Sequence, residues 1–143
     1  MDYAHTADSL EKLYEAFPDS KKICVLGNTG GGRDRWKRPV MAGVADKHCD
    51  YIILTDEDPY DEDPQTIVDM MAEGMKHKKP KIILSRRDAL REAFRIAQAK
   101  GESAVVLVTG KGTDPYIMRA HGEKEVWSDR HVCEEELATL QKQ

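Results

Sequence analysis

Between residues 56 and 63 the chain reads "DEDPYDED", six carboxylates in eight positions. Between residues 28 and 39 it reads "NTGGGRDRWKRP", three consecutive glycines followed by Arg33, Arg35, Lys37 and Arg38. Glycines after a strand leave backbone N–H groups to face an anion, and the cations add charge-assisted donors, so this stretch suits a phosphate or a carboxylate. It is neither of the usual phosphate loops. The spacing from Gly27 to Gly32 matches a Walker loop, but Arg33-Asp34 stand where Lys-Ser/Thr is needed, and "GNTGGG" lacks the second glycine of a dinucleotide fingerprint. The alternative is a solvated turn with incidental cations. Of the acids, helix capping accounts for Asp63 before Pro64, and for Glu62 beside it. The rest suit a metal, an ammonium group, or plain surface charge, and no His or Cys accompanies them as metal-ligand spacing would require. A third stretch, "TGKGTDPY" at residues 109–116, again sets glycines beside a lysine. Cations on one wall and carboxylates on another suit a zwitterion.

The elements that must position these loops follow from four short apolar runs: "KICVLG" (22–27), "YIILTD" (51–56), "KIILS" (81–85) and "AVVLVTG" (104–110). Each is β-branched, too short for a helix and continuous rather than alternating, the mark of strands covered on both faces. Helical patterns lie between them at 39–48, 64–76 and 87–100, with two more at 6–16 and 129–141. Ser85 or Asp88 can cap the third, Gly101 stops it, and Asp63 with Pro64 starts the second. This alternation predicts an open, doubly wound α/β domain with a mostly parallel sheet flanked by helices. "YIMRA" and "KEVWS" about His121-Gly122 predict a carboxyl-terminal hairpin or edge strand. In such a fold ligands collect at the carboxyl ends of the strands, where all three loops fall. Met70, Met71 and Met75 lie at helical spacing and read as core filler. Trp36, between cations, reads as an interface residue or a stacking partner for Arg35.

With 143 residues the chain has room for one domain. A net charge of -4 argues against general nucleic-acid binding. No apolar run approaches membrane-spanning length and the amino terminus is acidic-polar rather than a signal peptide, so no membrane partner and a cytoplasmic location are expected. Three cysteines, Cys24, Cys49 and Cys133, lack metal spacing and read as plain packing in a reducing compartment.

Five segments in order, "DYAHTADSLEKL", "GGGRDRWKRP", "TDEDPYDEDP", "GKGTDPY" and "WSDRHV", resemble the carboxyl-terminal domain of the Mur ligases. Within that family they are most similar to the branch that adds the third amino acid of the peptidoglycan stem. The resemblance implies a Rossmann-like sheet that brings the incoming amino acid and closes over the site of a three-domain, ATP-dependent ligase. ATP and Mg2+ would then be bound mainly outside this chain, UDP-N-acetylmuramoyl-dipeptide would be held by an amino-terminal domain, and the family's phosphate loop would lie in a central domain. The start at "MDYAH", where the family's central domain ends, reads as the last domain of a longer enzyme, able to fold but not to ligate alone.

Carried over by position, the resemblance gives Arg33 the carboxylate of the incoming amino acid. It places Gly110 and Asp114 at the distal end of that amino acid, Asp58 in the family's acceptor segment where asparagine is usual, with Tyr60 two residues on, and Tyr3, His5, Asp34 and Lys37 at the nucleotide and the closing contact. These residues orient and polarise rather than attack, and no catalytic nucleophile or metal ligand is expected among them. Tyr60 stands where the diaminopimelate-adding enzymes have arginine, and Asp114 where they have glutamate. The substrate expected is therefore a diamino acid, with the dense acids favouring an amine-ended side chain such as lysine or ornithine. The alternative is a stand-alone Rossmann-like nucleotide or dinucleotide binder with Asp56 near the ribose.

Overall fold

The computed structural model describes residues 4–32 and 34–142. β1 (Lys21–Leu26) divides its side chains by the strand period of two: Cys24 and Leu26 enter one core, Ile23 and Val25 the other, all fully buried. β2 (Tyr51–Leu54) repeats this, sending Ile52 and Leu54 one way and Ile53 the other. With both faces covered there is no solvent side, and the sequence runs are accordingly unbroken. β3 (Lys81–Ile82) and β4 (Ala104–Val108) complete a four-stranded parallel sheet of order β3-β2-β1-β4, with Ile23 opposite Tyr51 and Lys21 opposite Ala104. On one face Leu10 and Tyr14 of α1 (Ala7–Glu15), Met41 and Ala45 of α2 (Lys37–His48), and Val68 and Met71 of α3 (Pro64–Ala72) pack together. On the other, Leu90 and Ala93 of α4 (Arg86–Lys100) meet Val132 of α5 (Asp129–Gln141). The order reverses between β1 and β4, which opens a crevice at their carboxyl ends.

Helix starts follow side-chain chemistry. Thr6, Asp63, Ser85 and Ser128 each accept a first-turn N–H, from Ser9, Gln65, Asp88 and His131. α2 alone has no side-chain cap, and it begins at the glycine-cation loop. β5 (Tyr116–Met118) and β6 (Lys124–Val126) form the expected hairpin, antiparallel with Tyr116 opposite Val126, and His121 takes a left-handed turn at φ 60°. No helix among the described residues is long and apolar enough to cross a membrane.

Three expectations are corrected. β3 is an edge of two residues, not a covered strand over 81–85, and both Lys81 and Ile82 are exposed. α3 stops at Ala72 rather than 76: Gly74 N and Met75 N tighten onto the carbonyls of Met71 and Ala72, three residues back, at 3.0 Å each, and the amides that follow are taken by a carboxylate. Asp46 accepts from the backbone N–H groups of Lys76, His77 and Lys78 at 2.8, 2.9 and 2.8 Å. Finally, Cys24 and Cys49 are not simply packed: β1 and the end of α2 bring their Cα atoms to 6.3 Å and they form a disulfide. Cys133 stays a buried free thiol, its pKa pushed up to about 11 by burial.

Burial pushes the Asp46 carboxyl up, but the three N–H donors outweigh it and hold its pKa below the ordinary value. A depressed folded-state pKa means stability present above the unfolded value near about 3.9 and lost as pH falls through the folded value. Asp46→Asn is therefore expected to be less stable than the wild type at pH 7. Urea midpoints of the two proteins should converge as the pH is lowered through the carboxylate range, and parallel curves would exclude this role for Asp46.

A second buried carboxylate joins the two ends of the domain. Arg86, at the start of α4, binds Asp129 through Nε to Oδ1 at 2.8 Å and Nη2 to Oδ2 at 2.9 Å, both side chains fully buried. Arg86 also donates to the carbonyls of Asp56 at 2.9 Å and Thr109 at 3.0 Å, and Trp127 Nε1 donates to Asp129 at 2.7 Å. One guanidinium thus holds the ends of β2 and β4 to α5, just where two of the informative loops begin.

Candidate functional site

At the carboxyl end of the sheet the glycine-cation loop and the acidic loop bind each other. Thr29 and Asp58 form an isolated parallel bridge, and Gly30 N donates to Asp58 O at 2.7 Å. Gly32 N donates to Glu62, whose carboxylate also meets Arg38 at 3.0 Å and Arg35 at 3.5 Å. Arg38 is fully buried and reaches Thr29 O as well, so it braces the loop rather than facing a ligand. The Arg38 guanidinium is the main reason the Glu62 carboxyl is held below its ordinary pKa. The glycine stretch therefore finds part of its anion within the chain.

The remaining acids are likewise partnered, and apart from the Asp63 cap the sequence did not disclose it. Asp56 meets Arg119 at 2.6 Å, Asp61 accepts from His121 N at 2.8 Å, and Asp63 caps α3. Asp58 binds Lys111 and the amide of Met118, and Tyr60 N donates to Met118 O at 3.1 Å. The hairpin is thus fastened along the acidic loop. Asp56, closed by Arg119 and only 7 % exposed, is not presented to a ribose.

Between these loops and α2 lies a cleft of about 470 Å³. It brings together His5, Asp34, Lys37 and Tyr60 from the sequence expectations, and adds Asn28 and Glu57. Asp34, at φ +49°, pairs with Lys37 at 3.3 Å at the uncapped start of α2; the amides of Lys37 and Arg38 bond to Asp34 O at 2.9 Å and Arg35 O at 3.1 Å and Pro39 has none, so it is the Lys37 ammonium that can meet an anion there. Glu57 was overlooked within the acidic run. It is 5 % exposed, accepts from Thr29 Oγ1 at 2.7 Å, and burial pushes its carboxyl pKa up. Its signal was weak because a single buried acid is indistinguishable in sequence from five that form ion pairs or caps. Asp58, Gly110 and Asp114 gather instead around Lys111, and Gly110 backs onto the Glu57 carboxyl. Tyr3 and Arg33 lie outside the described residues.

The cleft's donor set does not suit a magnesium ion. Among the described residues the one group of three ligating side chains is Glu11, Glu15 and His48, on α1 and the far end of α2, where His48 is bonded to Glu11 at 3.2 Å. Asp34 is paired with Lys37 and Glu57 with Thr29, so neither is arranged as a metal ligand.

A parallel α/β sheet of this order, with a charged cleft beyond the carboxyl ends of β1 and β2, defines a domain of the doubly wound class. A family profile described as "Mur ligase, glutamate ligase domain" matches residues 1–112, and the chain belongs to the Mur ligase family. It is 41 % identical over 143 residues to the UDP-N-acetylmuramoyl-L-alanyl-D-glutamate--2,6-diaminopimelate ligase of Chlorobium phaeobacteroides, covering 96 % of this chain and 27 % of that protein. It is 39 % identical over 142 residues to the Bacillus cereus enzyme of the same name, covering 96 % and 28 %. A solved structure of a ligase with that name superposes with a TM-score of 0.85 at 27 % identity, over 97 % of this chain and 28 % of the other. The chain thus spans between a quarter and a third of the length of these relatives.

Proposed function

We propose that this chain is the amino-acid-binding and site-closing domain of a longer, ATP-dependent ligase of the cytoplasm. That ligase adds a diamino acid to UDP-N-acetylmuramoyl-dipeptide in peptidoglycan synthesis. The observation that carries the reading is the cleft where Glu57, Tyr60, Asp34 and Lys37 converge, in a chain 41 % identical to a ligase of that activity. ATP supplies the driving force for the peptide bond and, with Mg2+, is held mainly by other parts of the enzyme. This chain's residues bind and orient. The Lys37 ammonium suits the carboxylate of the amino acid, and Glu57 at the cleft floor suits an amine. Trp36 and Val40, one turn apart and 66 % and 45 % exposed, offer an apolar contact for closure. The relatives' names specify 2,6-diaminopimelate, whereas Tyr60 offers no cation for a second carboxylate, so the side-chain end is what the test resolves.

The test is an amide-resolved NMR titration of the chain with lysine, ornithine, diaminopimelate, ATP and NAD at matched ionic strength. A diamino acid is expected to shift the amides of Gly31, Glu57 and Tyr60, and the strongest of the three identifies the substrate. Glu57→Gln keeps an acceptor for Thr29 and is expected to weaken that binding roughly tenfold, the scale of one hydrogen bond to a charged group. Shifts with NAD alone would replace the ligase reading by a dinucleotide-binding one. So would a longer protein without ATP-dependent ligation of any diamino acid.

A further inference from the structure

Lys111 is 1 % exposed, and its ammonium meets both oxygens of Asp58 at 2.9 and 3.0 Å and Asp114 at 3.6 Å. A lysine is almost never buried this deeply without a partner, and here the partner is itself anchored, since Met118 N donates to Asp58 Oδ1 at 2.8 Å. The two carboxylates that the sequence assigns to an incoming ammonium already share one from the chain. The backbone on either side of Lys111 is also committed. Gly110, at φ +102°, lies against the Glu57 carboxyl, and Gly112 takes φ +54°. At the other end of the ion pair, Asp58 leads through Pro59 into Tyr60, held at φ +52° with its N–H on Met118 O. One ammonium therefore ties the 57–60 turn, the 110–114 loop and the hairpin into one unit, and that unit carries the two cleft residues Glu57 and Tyr60.

We propose that Lys111 is a positioning residue for amino-acid binding, and that Asp58 serves as its counter-ion rather than as a direct ligand of the substrate. The inference rests on the ligase reading. Lys111 does not line the cleft; it acts by fixing what does. A neutral pair at these positions should then preserve the site, whereas an unmatched charge should not.

The test is steady-state ligation by the multidomain enzyme that carries this chain, comparing KM for the diamino acid with KM for ATP. Lys111→Met is expected to raise the amino-acid KM about tenfold or more, with kcat and the ATP KM changed about twofold or less, the scale of losing a charged hydrogen bond at one subsite. Lys111→Arg should restore most of the affinity. The double variant Lys111→Met with Asp58→Asn should lie closer to wild type than Lys111→Met alone, because the carboxamide put in place of the Asp58 carboxylate can still accept from Met118 N and no charge is stranded. The double variant also keeps the test decisive if Lys111→Met fails to fold. An unchanged amino-acid KM in Lys111→Met, or equal rises in both KM values, overturns the positioning role. A double variant no better than Lys111→Met overturns the counter-ion assignment. A wild-type enzyme that ligates no diamino acid is a separate result, which removes the ligase reading and this inference with it.

Discussion

Asp129→Ala is expected to cost the domain about 3–5 kcal/mol, a large share of the roughly 5–15 kcal/mol that holds a domain folded. The reason is less the loss of attraction than what remains. Arg86 is fully buried, and without Asp129 its Nε and part of its fork lose their acceptor away from the solvent-exposed surface. Trp127 Nε1 loses its acceptor at the same time. Arg86→Met combined with Asp129→Leu is expected to be less harmful than either single truncation, because an apolar pair leaves no charge uncompensated. Urea unfolding of the wild type, Arg86→Met, Asp129→Leu and their combination measures this directly, and additive single effects would show that the pair is not energetically coupled. Since Arg86 also holds the carbonyls of Asp56 and Thr109, Asp129→Ala should shift the amides of Glu57 and Gly110 even where the fold survives.

Much of this architecture was legible because it is local. β1 and β2 announce themselves by unbroken β-branched runs, and Asp63-Pro64 and Ser85 mark helix starts through contacts two or three residues away. The placing of three loops at one end of the sheet follows from strand direction alone. What was not legible depends on which side of an element a residue faces. Lys37 and Arg38 are neighbours about 100° apart on α2. One lines the cleft and the other is fully buried on Glu62, yet both look like cations of one loop. Arg86 and Arg87 divide the same way, one into the Asp129 pair and one onto Glu135 and Glu136 of α5. Four of the six acids of residues 56–63, Asp56, Asp58, Asp61 and Glu62, looked like an unmet demand for positive charge because their partners, Arg38, Lys111, Arg119 and the amides of Gly32, Met118 and His121, are supplied from segments distant in sequence. The Cys24 to Cys49 pairing is of the same kind, requiring β1 and the end of α2 to be side by side.

The mutual binding of the two loops leads to the most site-specific prediction. A Cβ on Gly30 would lie 1.9 Å from Pro59 O and 2.6 Å from Pro59 C, and neither is a side chain that can swing away. Gly30→Ala must therefore push the loops apart and break the 2.7 Å bond from Gly30 N to Asp58 O. About 1–3 kcal/mol of stability should be lost through overpacking. Gly110→Ala meets a different obstacle. Its Cβ would fall 1.8 Å from Glu57 Oε1, the end of a flexible side chain, but its φ of +102° is a conformation that alanine resists, at a cost of about 1–3 kcal/mol. Adding Glu57→Ala should relieve the contact at Gly110 and leave only the backbone strain, whereas no side-chain change can relieve Gly30. Amide spectra should separate the two: Gly30→Ala shifts Asp58, Tyr60 and Met118 along the whole seam, while Gly110→Ala shifts mainly Glu57 and Thr29. A Gly30→Ala protein with wild-type amide positions at Asp58 and Tyr60 would mean that the seam between the loops does not shape the cleft. Glu57 and Tyr60 would then owe their positions to the hairpin and Lys111 alone.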